Sequence, residues 1–119
     1  MTSGIKNIIR VFLATEVQID VKEHMFEVLA FVTDVSSQSR EEFLKNSTLM
    51  SIIIGVLQHM RNNEKLIQFA ALTLSNMSSS SVARLYLKPY ETPLMMIGFT
   101  DDSLAGIIAN ILSDIALEA

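Results

Sequence analysis

Residues 63–78 read Asn63-Glu64-Lys65-Leu66-Ile67-Gln68-Phe69-Ala70-Ala71-Leu72-Thr73-Leu74-Ser75-Asn76-Met77-Ser78. Leu66, Ile67, Ala70, Leu74 and Met77 recur at helical spacing, which predicts a helix over 64–77 with Asn63 as its cap. Downstream, 78–81 breaks the pattern, 82–88 predicts a short helix halted by Pro89, and Thr92 followed by Pro93 starts a brief helix. That helix gives way at Gly98 and Asp101-Asp102, and the last one runs over 103–116. Upstream, Ser47 caps a helix over 48–60 that is apolar on nearly every side, so neighbours must bury more than one of its faces. Ser39 and Glu42 form a capping box for a short helix over 40–45, and Asp20 with Glu23 does the same for a helix carrying Met25, Phe26, Val28, Leu29, Val32 and Val35. A first stripe, Ile5, Ile8, Ile9, Phe12 and Leu13, ends at Thr15-Glu16-Val17-Gln18. No strict alternation persists anywhere, so the expected class is all-α.

The same helical unit recurs. The segment 27–37, then 40–45, then 49 onward parallels 71–79, then 82–88, then 94 onward, and 108–116 begins a third copy. Asp34 falls opposite Asn76, 42 residues on, and Asp114 follows 38 residues later. The approximate units are 3–37, 39–79 and 81–118, two full repeats with partial ones, within a single domain 1–119. A period near 40 lies in the armadillo and HEAT range.

In 63–78, with its Ala-x-x-x-Leu-Ser-Asn ending at Asn76, the chain resembles the armadillo-repeat superfamily. The resemblance spans the chain by pattern and is specific in the middle unit. It implies a right-handed α-solenoid whose third helices line a concave groove for extended peptides. Asn76 matches the position whose amide hydrogen-bonds the ligand backbone, while Asp34 and Asp114 depart from it. The family's nuclear-import receptors carry a Trp four residues before that Asn; Leu72, Ala30 and Asn110 stand there, which argues against nuclear-localisation peptides as ligands. If the third helices line a groove, helical geometry puts Glu23, Glu27, Ala30 and Asp34 on it from the first. Lys65, Phe69, Leu72 and Asn76 follow from the second, and Ser103, Ile107, Asn110 and Asp114 from the last. The carboxylates of the first unit favour a basic ligand segment and the middle unit offers apolar contact. The expected activity is that of a protein-interaction scaffold, binding a basic and hydrophobic peptide or helix in the groove or across an exposed end.

Composition narrows the alternatives. With 50% apolar residues the chain has material for a core and none of the character of a disordered segment. The net charge is −4, and the cations are scattered singly from Lys6 to Lys88, a poor match for nucleic acid, which needs clustered charge. The longest apolar run, 52–57, is far short of a membrane span. Absence of cysteine and of a signal-peptide pattern points to an intracellular, cytoplasmic or nuclear setting. No cofactor is implied. His24 and Glu27 share a helix face, but a metal site needs more ligands than this pair. His59 suits a helix C-terminus, Asp101-Asp102 a helix cap, and 78–81 a serine turn, so no catalytic arrangement stands out. Gly55, inside a helix, predicts a close helix crossing. The apolar beginning and end of the chain predict either a longer solenoid or an end covered by a partner or a second copy. The competing class is a compact helical bundle around a lipid, argued from the seven methionines and the helix 48–60.

Overall fold

Short polar residues cut the apolar chain into helices, in several places with one residue serving as the whole corner. Ser36, extended at φ −126° and ψ 109°, ends one helix and caps the next by accepting from Ser39 N at 3.1 Å. Asn46 repeats the device, its Oδ1 taking Leu49 N at 3.0 Å. The computed structural model describes residues 2–13, 18–60 and 62–116, and among them all regular structure is helical, without a strand. In chain order the α-helices are α1 (Thr2–Leu13), α2 (Ile19–Val35), α3 (Ser37–Lys45), α4 (Ser47–His59), α5 (Glu64–Ser78), α6 (Ala83–Leu87), α7 (Glu91–Thr100) and α8 (Asp102–Ala116). A 3-10 turn, Lys88–Tyr90, joins α6 to α7.

Several expected caps move upstream. Ser36 rather than Ser39 starts α3, and Asn46 rather than Ser47 starts α4, because the extended corner, not the side-chain type, selects the capping residue. Asp20 lies inside the first turn of α2, where its Oδ1 meets Val21 N, and Gln18 stands at the cap position. Asn63 precedes α5 as expected, without a side-chain cap bond. Pro89 does not stop the chain from turning: the 3-10 turn carries it into α7 ahead of Thr92 and Pro93. Asp101 caps α8, accepting from Ser103 N at 3.0 Å. The expected stop at Thr15-Glu16-Val17 and the turn residue Arg61 lie outside the described residues.

Packing follows a rule of three. α2 lies along α5 and α5 along α8; α1 packs on α4 and α4 on α7; α3 packs on α6. The all-round apolar α4 is used on several sides, touching α1, α3, α5 and α7, with Met50, Ile53 and Leu57 fully enclosed. At the first corner Phe12 meets Phe26 edge-on at 5.4 Å, and the Lys22 ammonium lies 5.0 Å from the Phe12 ring centre. The Cα radius of gyration, 13.3 Å, matches the value of about 13.5 Å for a compact domain of this length.

The glycine expectation is corrected. A Cβ built on Gly55 would meet nothing within 4 Å, so no helix crosses closely there; the close approach is at Gly98, where the Ile108 Cγ2 methyl would stand 3.1 Å away. Gly55→Ala therefore raises unfolding free energy by about 1 kcal/mol in urea titration, from helix propensity alone. Gly98→Ala gains less or loses, because the buried, β-branched Ile108 has to shift. A destabilised Gly55→Ala would contradict this packing.

Candidate interaction surface

Between α2 and α5 the side chains that face neither core leave a shallow depression of about 400 Å³. Its walls are Glu27, Ala30, Phe31 and Asp34 from α2 and Phe69, Leu72 and Asn76 from α5. Glu27 and Asp34 are exposed, two turns apart on one wall, and Leu72 is 44% exposed on the other. The α2 side thus carries two carboxylates beside Ala30 and Phe31, and the α5 side is apolar apart from Asn76.

The floor is fixed by polar bonds at the C-terminal turns. Asn76 Nδ2 donates to Ala30 O at 2.9 Å and to Thr33 Oγ1 at 3.2 Å, tying α5 to α2 across 46 and 43 residues of chain. The fully buried Thr33 hydroxyl in turn donates back into its own helix, to Leu29 O at 2.8 Å and Ala30 O at 3.1 Å. Arg40, from α3, donates through Nε to Thr33 O and through its terminal nitrogen to Asp34 O at 2.7 Å, closing the carbonyl end of α2. A parallel tie joins α5 to α8, where Ser78 Oγ is shared between Ser75 O at 2.7 Å and Asp114 Oδ2 at 3.0 Å. The serine stretch 78–81 is accordingly structural at its start, with Ser79 Oγ also donating to Asn76 O.

Of the residues expected on a groove, the depression gathers Glu27, Ala30, Asp34, Phe69, Leu72 and Asn76. Glu23 lies a turn before Glu27, half-buried, and Lys65 a turn before Phe69, exposed; neither is part of the wall. Asn110 and Asp114 are exposed on α8, one helix further along. The resemblance implied that the Asn76 amide meets a ligand backbone; both of its donor hydrogens instead serve α2, leaving Oδ1 as its acceptor. Phe31, 67% exposed, escaped the expected set although it follows Glu27 by four residues, the spacing that marks a shared helix face. His24 Nδ1 and Glu27 Oε1 pair at 3.5 Å with both side chains largely exposed, and among the described residues no group of three or more His, Cys, Asp or Glu side chains is placed to hold a metal.

Among known proteins, no family model, curated protein or solved structure matches the chain.

The Asn76 bonds carry a stability prediction. Asn76→Ala removes both donations to α2 and, at about 0.5–1.5 kcal/mol for each bond, costs about 1–3 kcal/mol by chemical denaturation. Asn76→Asp costs more at neutral pH, since a carboxylate cannot donate and faces a carbonyl, and the excess penalty shrinks on acidification as that carboxyl takes up a proton. Equal stability of both variants with the parent would show that the tie is absent.

Proposed function

We propose that the chain is a short armadillo-like solenoid that holds an extended peptide of a partner protein between α2 and α5, the peptide alternating basic and apolar residues. The observation that carries this reading is the pairing of Glu27 and Asp34 on one wall with Phe69 and Leu72 on the other. An extended chain places successive side chains on opposite sides, so one set meets the carboxylates while the other lies on the apolar wall. The placing of each helix against the third one along is what a repeating three-helix unit produces, and it supports the solenoid reading. Asn76 contributes Oδ1 as an acceptor for a peptide N–H, held in place because its donors are committed to α2. Phe31, at the rim beside Glu27, offers a ring to an arginine or an apolar side chain of the ligand. The cysteine-free sequence fits an intracellular encounter.

Fluorescence anisotropy with a labelled synthetic peptide alternating Arg and Leu tests the groove. Binding weakens with added salt, and joint Glu27→Lys and Asp34→Lys reduces affinity at least about tenfold through like-charge opposition. Leu72→Glu has a similar effect from the apolar wall. Undiminished affinity in both variants would remove the groove from the account.

A further inference from the structure

The α2 wall of the depression sets an aromatic ring between two charges. Glu27, Phe31 and Asp34 stand at i, i+4 and i+7, so they follow one another along one helix face over about 10.5 Å, with the ring in the middle. Phe12, Phe26 and Phe43 are buried in the core, whereas Phe31 is 67% exposed, and most of its surface is open to a ligand. Across the depression Phe69 packs against the core and also forms the facing wall beside Leu72.

The two carboxylates are not spent on the cations around them. Arg40 gives its Nε and a terminal nitrogen to Thr33 O and Asp34 O, which are main-chain carbonyls, and not to the Asp34 carboxylate. The neighbour of Glu27 is the His24 imidazole at 3.5 Å, a group that is not a permanent cation. A ligand group that suits this wall carries positive charge, lays a flat, weakly hydrated face on the ring and has N–H groups at its edge for a carboxylate. A guanidinium has all three properties. An ammonium has the charge, but it is a compact, strongly hydrated ion that keeps its water at so open a site. An aliphatic side chain would cover the ring only by stripping water from Glu27 and Asp34 without offering them a hydrogen bond.

We propose that the ligand residue lying against α2 is an arginine, selected over lysine, with its guanidinium stacked on Phe31 and its edge hydrogen-bonded to a flanking carboxylate, while Phe69 and Leu72 take the neighbouring apolar residue. This rests on the groove reading of the proposed function and names the side chain that the groove selects. The carboxylates attract any cation, and the ring is what distinguishes one cation from another. Arginine and lysine carry the same charge, so a preference that depends on Phe31 cannot come from Glu27 and Asp34 alone.

Competition anisotropy with the full chain tests this by comparing the peptide alternating Arg and Leu with the same peptide carrying Lys at every Arg. The arginine peptide binds at least about threefold more tightly, the ratio that a guanidinium on a ring supplies at an exposed site. Phe31→Leu keeps an apolar side chain that suits a helix, and circular dichroism confirms unchanged helix content. That variant loses the preference by weakening the arginine peptide alone, and the lysine peptide binds it as it binds the parent. Equal affinity of the parent for the two peptides would overturn the arginine assignment; loss of both on joint Glu27→Lys and Asp34→Lys would then show that the groove itself still stands. An arginine preference that survives Phe31→Leu would overturn the role of the ring. If neither peptide binds, the groove and the assignment fall together.

Discussion

Each of α2, α5 and α8 has two apolar sides, and a lone helix or hairpin can cover at most one of them. The sequence meets this constraint by returning, after a short helix and a middle helix, to lay the next member of the set alongside. Ala70, Met77, Ile108 and Ile115 are all buried, with α5 lying between α2 and α8 and Ile108 also meeting Gly98 of α7. The surface between α2 and α5 depends on that arrangement, because it exists only where the two helices run side by side.

Apolar contact fixes that the helices adjoin, but it discriminates weakly among positions along them. A slip by a turn would still put Leu, Ile and Val against one another. The polar ties remove that freedom. Asn76 finds its acceptors on α2 only at Ala30 and Thr33, Arg40 closes the end of the same helix through Thr33 O and Asp34 O, and Asp114 takes the Ser78 hydroxyl one step further along. Arg40 meets the free carbonyls that end α2, while the Asn76 and Ser78 bonds join side chains near the same ends of neighbouring helices and so fix their register.

Helix identity was legible in the sequence because apolar residues at spacings of three and four mark a face whatever the partner. The same spacing aligns Asp34, Asn76 and Asp114 as matching points of a repeat, a reading that the packing of α2 on α5 and of α5 on α8 supports. Wheel geometry also found Glu27, Ala30, Asp34, Phe69, Leu72 and Asn76. It placed Phe31 neither on the groove nor in the apolar stripe, although the aligned positions Thr73 and Ile111 are buried and Phe31 is 67% exposed. Corner residues were misassigned where several serines competed, since only the backbone reveals which becomes extended. Gly55 was read as a crossing because a helical glycine looks like a spacer; the crowding lies at Gly98, beside a residue distant in sequence. The inward role of the Asn76 amide and the reach of Arg40 depend on tertiary neighbours that no local pattern encodes.

The placing of α5 on α2 is most directly tested by nuclear Overhauser effects from the Asn76 side-chain amide protons in the isotopically labelled protein. The account predicts cross-peaks to the Thr33 methyl and to the Ala30–Phe31 segment, far away in sequence and adjacent in space. Cross-peaks confined to Asn76's own helix, or directed to α4 or α7 instead, would contradict it.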